Sequence, residues 1–454
     1  MIRIKVKDIV KAVNGILLCG DPDTIITDLC LDSREIKQGD LFVPIIGNNQ
    51  DAHKYIEKAL EIGAATLTSR HKGVVIADKP YIQVADTERA LHEIGYFLRE
   101  FYDILFIGVT GSVGKTTTRE MIATALGSSR NVYQTSGNLN STFGVPLTLA
   151  RATEGAEVAV LEAGIGQPGE MEILSRLIKP QIAVVTMIGV AHMEHFHTRE
   201  NIRKEKLEII NHMSSDGVLF LNGDDKMLAD VRGDIPVQTF YYGTEPWCEY
   251  RAENIHMEHY RYVYDYVHGD KKVTVTINAL GRHNVSNSLA GMAIADYMGL
   301  DIIKAARSYE TFQGLRQRLL QIPGKYTIID DTYNASPDSM RASIDVLSDL
   351  PDSGQKIAVF GDMFELGTDS EKYHYEIGQY MVGKKIDALV VVGELAQNIM
   401  KALQDANSSI KCYSFKDNGE VALYLMSVMM PEDVVLIKGS HGMHLNEIVS
   451  NLMG

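Results

Sequence analysis

Thr110-Gly111-Ser112-Val113-Gly114-Lys115-Thr116-Thr117-Thr118 stands between an apolar run, Ile104 to Val109, and a segment carrying Met121, Ile122, Ala125 and Leu126 on one apolar face. The order is strand, glycine-rich turn, helix. Glycines let backbone amides turn toward a phosphate with no Cβ in the way, and the helix N-terminus adds a favourable potential for an anion. Lys115 is placed to reach the β and γ phosphates of a nucleotide, and the Thr116 hydroxyl to ligate magnesium. The loop is of a short GxxGKT kind: the fuller pattern wants glycine five residues before Gly114, where Val109 stands, and Gly108 is one place too early. A plain glycine-rich turn between strand and helix is the competing reading.

The next apolar run, Glu157 to Leu161, ends in Glu162. An acidic residue at a strand tip beside a phosphate loop is placed to hold magnesium, directly or through water. An ordinary exposed strand-end glutamate is the alternative. Further on come a helix from Glu170, a strand from Ile182 to Met187 and a helix through Arg199 to Met213. Short apolar runs alternating with amphipathic helices imply parallel strands with crossovers, hence a doubly wound sheet. Tyr241 to Ile277 reads as alternating strands, an antiparallel extension, after which a helix near Asn284 to Met298 returns the chain to the main sheet.

A second open sheet of dinucleotide-binding type begins near Phe312, with strands at Thr327 to Ile329, Lys356 to Phe360, Ala388 to Val392 and Val434 to Ile437. Such sheets bind ligands beyond the carboxyl ends of their strands. Residues 1 to about 98 mix short strands and helices around turn-rich stretches and end in a helical segment, Thr87 to Tyr102. The expected fold is therefore α/β in three domains. A small N-terminal α/β domain covers 1–98, a central phosphate-loop ATPase-like doubly wound sheet 99–311, and a Rossmann-like C-terminal domain 312–454.

Composition fits this layout. The chain has 454 residues, 45% hydrophobic and 23% charged, which excludes disorder and fibrous repeats. A net charge of −15 argues against broad electrostatic binding to nucleic acid or anionic lipid. No apolar run is long enough to span a bilayer and the start lacks a secretory core, so a cytoplasmic protein without membrane insertion is expected. The four cysteines, at 19, 30, 248 and 412, have no paired spacing and read as reduced thiols. His192, His195 and His197 cluster, but lack a fourth ligand nearby, and a magnesium nucleotide site prefers oxygen ligands over a zinc arrangement.

Several motifs, in order, resemble the Mur ligase family across nearly the whole chain. They are Asp32-Ser33-Arg34, Gly39-Asp40-Leu41-Phe42-Val43, the phosphate loop, Gly137-Asn138-Leu139-Asn140, Gly144-Val145-Pro146, Glu162-Ala163-Gly164 and Ala191-His192-Met193-Glu194 with Lys206 and Glu208. Gly281-Arg282-His283-Asn284-Val285, Asp330 to Pro337, Gly361-Asp362-Met363 with Glu365-Leu366-Gly367, and Lys438-Gly439-Ser440 follow. The stretches at Asp330 and Gly361 are similar to the branch that adds a dipeptide; a neighbouring Mur ligase, a folylpolyglutamate synthetase relative and a nucleotide-dependent switch are the rivals.

The resemblance implies ATP-dependent amide formation, with ATP and Mg2+, between UDP-N-acetylmuramoyl-tripeptide and D-alanyl-D-alanine, by a monomer. The 1–98 domain would bind the UDP-sugar, 99–311 ATP, and 312–454 would close over the nucleotide. It implies that Gly111, Ser112, Val113, Gly114, Lys115, Thr116 and Thr117 contact ATP together with Asn284, Arg318 and Asp331. Asn284 would lie near adenine, although a helix N-cap explains it equally, and Asp331 would hold the ribose hydroxyls. Arg318 follows Gln317 where the family has Gly-Arg, with Arg316 close by. Thr116, Glu162 and His192 would serve the metal sites, and Lys115, Lys206 and His192 the catalysis. Lys206 would be carbamylated. Lys204 is its rival, and the two are about 200° apart on a helix, so only one can face the site. Ser33, Arg34, Asn138, Asn140 and Asn334 would meet the sugar-peptide substrate. An Asp32–Arg34 pair in an exposed turn, turn-forming asparagines, and a plain turn ending at Pro337 are the competing explanations. Ser336 stands where the family has Asn, and His441 where it has Arg.

Overall fold

Parallel strands buried on both faces need continuous apolar runs, and this chain supplies them: all five residues of Val158–Glu162, Lys356–Phe360, Ala388–Val392 and Val434–Lys438 are buried. The computed structural model describes residues 2–47, 50–70, 78–153, 155–259, 261–313, 318–321, 325–351 and 354–454, with only the backbone of 318, 319 and 321. The chain divides into two units that alternate along the sequence. The first comprises Met1–Thr110, Arg130–Val184 and Glu205–Leu219, and the second Gly111–Ser129, Val185–Lys204 and Phe220–Gly454.

In the first unit, β1 (Ile4–Lys5) pairs with β3 (Ile25–Ile26). A five-stranded sheet contains β2 (Ile16–Cys19), β4 (Asp28–Cys30), β5 (Asp40–Phe42), β6 (Ala65–Thr68) and β7 (Tyr81–Gln83), in the order β2-β7-β6-β5-β4. All its pairings are parallel except β2 with β7. The helix Thr87–Arg99 follows; Asp86 caps it by accepting from the Arg89 amide at 2.9 Å, and it ends three residues before Tyr102. Next come β8 (Leu105–Thr110), β9 (Val132–Gln134), β10 (Val158–Glu162), β11 (Ile182–Val185) and β12 (Val218–Asn222), ordered β9-β10-β8-β11-β12. β10 lies parallel to β8 with Glu162 opposite Val109, two residues before the phosphate loop's first glycine.

The helix expected through Met213 stops at Leu207 and tightens into a 3₁₀ turn over Glu208–Ile210. Ser175 explains the stop. Its hydroxyl donates to the Ile209 carbonyl at 2.9 Å and accepts from the His212 amide at 3.1 Å, satisfying groups that a continued helix would use itself.

The second unit continues from β12 through β13 (Gln238–Gly243), β14 (Tyr250–Glu258), β15 (Arg261–His268) and β16 (Lys271–Ile277), in that order. The expected antiparallel extension holds for β14-β15-β16, but β13 pairs with β14 in parallel. The helix His283–Tyr297 packs on this region, and two buried tyrosines are satisfied there: Tyr264 by Ser288 Oγ at 3.1 Å, and Tyr266 by Asp296 Oδ2 at 2.7 Å.

Also in this unit are β17 (Arg318–Gln321), β18 (Thr327–Asp331), β19 (Lys356–Phe360), β20 (Ala388–Val392), β21 (Lys411–Phe415) and β22 (Val434–Lys438). Their order is β17-β18-β22-β19-β20-β21, with only β17 antiparallel. Sequence pattern leaves out β12, β17 and β21. β21 is only half buried, so it lacks the apolar run of its neighbours. The reversal of chain order around β22 brings Asp331, Gly361 and Lys438 together at the carboxyl ends, the position where open sheets bind ligands. Among the described residues no helix is long and apolar enough to cross a membrane.

Candidate active site

Two glycines fix the phosphate loop. Gly111 has φ +147°, and a Cβ there would lie 1.9 Å from Thr186 Oγ1; Gly114 has φ +85° and starts the helix Lys115–Gly127. Neither position tolerates an L side chain without strain. The end of β11 closes the loop, with Thr186 Oγ1 donating to the Val113 carbonyl at 2.6 Å and the Ser112 amide to the Met187 carbonyl at 2.8 Å. Lys115 Nζ donates to the Gly111 carbonyl at 2.9 Å, so its ammonium lies across the loop. Thr116 and Thr117 occupy the first turn of the helix, where the helix dipole favours an anion. Thr186 carries no motif and escaped sequence reading.

In the first unit, Glu162 is 1% exposed and sits at the tip of β10. Its amide donates to Thr135 Oγ1 at 3.0 Å, and its Oε1 accepts from Asn140 Nδ2 at 2.8 Å. Its Oε2 is buried with no hydrogen-bond partner among the described residues. A buried carboxylate oxygen left open in this way is suited to a hard cation. Asn140 thus orients the acidic residue, and its own carbonyl accepts from the Gly164 amide at 2.8 Å. Asn138 is exposed in the same loop.

Burial distinguishes the two lysines: Lys206 is 3% exposed, whereas Lys204 is exposed. Glu205 anchors the neighbouring turn by accepting from the Gly169 and Met171 amides at 2.8 and 3.0 Å.

In the second unit, His192 adopts φ +60° at the start of the one-turn helix Met193–Phe196, and its Nδ1 lies 3.2 Å from Glu365 Oε2. Among the described residues no three His, Cys, Asp or Glu side chains are grouped to hold a metal ion. Asp225 steadies the preceding segment, its Oδ2 accepting from the Ile188 amide at 2.9 Å, and burial pushes its carboxyl up.

Asn284 is not the N-cap of its helix; Arg282 is. Its Nδ2 donates to the Leu280 carbonyl at 2.6 Å, and its Oδ1 accepts from Asn287 Nδ2 at 2.9 Å. Asn287 in turn accepts from Thr118 Oγ1 at 3.0 Å, tying this helix to the one behind the phosphate loop. Among the described residues, one N–H and one lone pair of Asn284 have no partner. Beside it opens a cleft of about 340 Å³, lined among others by Asp224, Glu245, Arg282, His283, Ser286 and Asp345. Burial drives His283 down to about 4, so its ring is neutral at physiological pH.

Asp331 and Lys438 form a buried ion pair at 2.7 Å, with Asp331 Oδ2 also accepting from Ser343 Oγ at 2.6 Å. Lys438 Nζ reaches the Asn334 carbonyl at 2.9 Å, so this pair pins the loop after β18. Asn334 itself is exposed, and its Oδ1 accepts from the Ala335 amide at 2.8 Å. Ser336 caps the helix Pro337–Asp349, with proline at the first helical position. Arg318 begins β17, but its side chain, like Arg316 and Gln317, lies outside the described residues.

Asp32, Ser33 and Arg34 form a turn in the first unit. Arg34 pairs with Asp32 through three side-chain contacts, Nη2 to Oδ2 at 2.6 Å and Nε to Oδ1 and Oδ2 at 2.9 and 3.1 Å, with its side chain 83% exposed. The hydrogen bonds from Arg34 hold the Asp32 carboxyl down at about 2.

Two family descriptions match the chain, the Mur ligase middle domain over residues 109–295 and the Mur ligase glutamate ligase domain over 316–441. The UDP-N-acetylmuramoyl-tripeptide–D-alanyl-D-alanine ligase of Bacillus subtilis is 35% identical, covering 100% of this chain and 99% of its own. A crystal structure of MurF from Acinetobacter baumannii superposes with a TM-score of 0.91 at 29% identity, covering 100% and 99%. The Thermotoga maritima MurF structure in complex with ADP gives 0.81 at 29% identity, covering 94% and 96%. The expected α/β three-domain architecture is that of these MurF structures. With a full-length relative at this identity and a phosphate loop built as described, the chain belongs to the Mur ligase family, in the MurF branch.

Proposed function

We propose that this protein joins D-alanyl-D-alanine to UDP-N-acetylmuramoyl-tripeptide at the expense of ATP, in the cytoplasmic stage of peptidoglycan synthesis. The observation that carries this reading is the full-length similarity to the Bacillus subtilis ligase of that name, in a chain whose phosphate loop keeps both strained glycines and Lys115. Residues 1–98 hold the UDP-sugar, 99–311 the nucleotide, and 312–454 complete the site.

The tripeptide carboxylate attacks the γ-phosphate to give an acyl phosphate and ADP. The dipeptide amine then attacks the acyl carbon and expels phosphate. Two anions must meet in the first step, so positioning and cationic neutralisation are the main requirements. Lys115 supplies one positive charge, and the amides of Gly111 to Thr117 orient the phosphates. Thr116 and Glu162 would hold magnesium, for which the open Oε2 of Glu162 is suited, and the ion would supply positive charge beside the phosphates. Asn140 keeps Glu162 in place, and His192 and Lys206 serve a second cation site, with the buried Lys206 as the candidate for carbamylation. Asn284 would meet the base, Asp331 the ribose and Arg318 a phosphate, and Ser33, Arg34, Asn138, Asn140 and Asn334 the sugar-peptide.

The test is a phosphate-release assay with purified protein, ATP and magnesium. Release should require both the UDP-tripeptide and D-alanyl-D-alanine, and single amino acids should not replace the dipeptide. Equal release with neither substrate would contradict ligation.

A further inference from the structure

One carboxylate in the second unit has no place in the chemistry above. Asp338 is the second residue of the helix Pro337–Asp349. An acidic residue there ordinarily faces water and favours the helix dipole. Here its Oδ2 is buried and has no hydrogen-bond partner among the described residues. Its Oδ1 makes an ion pair with Arg341 Nη1 at 3.6 Å, one turn along the helix. Asp338 is instead packed against Gly189, which also neighbours Ser112 of the phosphate loop. A Cβ on Gly189 would lie 2.3 Å from Asp338 Oδ2 and 3.2 Å from Ser112 Cβ, so the carboxylate and the loop's second residue flank one point. Ser112 Oγ is likewise buried and unpartnered among the described residues.

A carboxylate beside a loop that holds a polyphosphate is repelled unless a cation lies between them. Ligation brings such a cation to this edge. The acceptor dipeptide arrives as an ammonium ion, and its nitrogen must reach the carbon bonded to the former γ-phosphate. We propose that Asp338 binds the ammonium of the incoming dipeptide and takes one of its protons. This inference rests on the ligase reading given above.

The freed nitrogen lone pair forms the C–N bond, and the acyl C–O bond to phosphorus breaks with its electrons going to phosphate. The second nitrogen proton leaves on that phosphate, while the first stays on Asp338 until solvent removes it. Ser112 donates its hydroxyl to the phosphate side.

The experiment compares the full-length protein with its Asp338→Asn and Asp338→Ala variants, both checked for an unchanged unfolding midpoint. Initial rates give KM for the dipeptide and for magnesium ATP separately. Borohydride trapping without dipeptide reads the acyl phosphate alone. Loss of a charge-assisted hydrogen bond should raise the dipeptide KM about tenfold to a hundredfold in both variants, while trapping continues. Unchanged dipeptide kinetics in whichever variant folds would overturn the proposal. So would a shift confined to magnesium ATP, which would make Asp338 a metal-side residue. Absence of trapped acyl phosphate in the unsubstituted protein would instead count against the ligase reading itself.

Discussion

The phosphate loop and the turn Asp32–Arg34 are both short polar motifs, and they are held in opposite ways. Gly111 and Gly114 carry backbone angles that other residues resist, and Thr186 locks the loop from a neighbouring strand. The Asp32 turn is held by its own side chains, with Arg34 folded back onto a carboxylate two residues away and otherwise in water. A motif made by backbone geometry presents its ligand-binding amides before any ligand arrives. A motif made by side-chain pairing must first give up a satisfied contact, so its part in binding is conditional. Substitutions in the loop should therefore act on turnover and folding together, and those in the turn mainly on affinity, with only a small effect on stability.

The largest effect expected is from Lys115→Ala, which should lower kcat by roughly 10²–10³-fold, since one preorganised charge at the transferring phosphate is lost. Phosphate release checks it. Cys248→Ala is the control: burial pushes that thiol up to about 12, which leaves it inert at neutral pH. Next, Gly111→Ala forces a side chain into Thr186 and should cost about 1–3 kcal/mol of stability, seen as a lower denaturant midpoint. If Gly111→Ala were neutral, the backbone half of the comparison would fail.

Asn140→Ala removes the donor to Glu162 Oε1 and leaves a second open oxygen on a buried carboxylate. It should cost about 1–3 kcal/mol and raise the magnesium concentration needed for half-maximal turnover, measured by magnesium titration.

The smallest effect on stability should come from Arg34→Ala, because the pair is exposed and screened by solvent. Its pH dependence has a definite sign. The folded carboxyl of Asp32 titrates at about 2, below its ordinary 3.8, so the pair's contribution is present above 3.8 and is lost as pH falls toward 2. The two proteins should converge in stability below that window, and NMR titration should show Asp32 returning upward in the variant.

The same contrast explains what was legible in the sequence. Glycine spacing, apolar runs and strand-end residues are local signals, so the phosphate loop, most parallel strands and Glu162 were readable. Lys206 over Lys204 needed the fold: helical periodicity separates the two, but only the packing says which is buried. The bond from Asn140 to Glu162 was not legible, because it joins residues 22 apart in sequence. Thr186, Ser175 and Asp338 act on partners further away still, and nothing in their neighbours marks them. The antiparallel expectation failed at β13, where Tyr242 and Gly243 pair in parallel with Tyr250 and Arg251, because alternation of side chains reports which face is buried and not the direction of the partner strand.

The most direct test of the central claim follows oxygen. UDP-tripeptide labelled with ¹⁸O in its terminal carboxylate, incubated with the protein, ATP, magnesium and D-alanyl-D-alanine, should pass one labelled oxygen to inorganic phosphate for each amide formed. Unlabelled phosphate accompanying amide formation would contradict it.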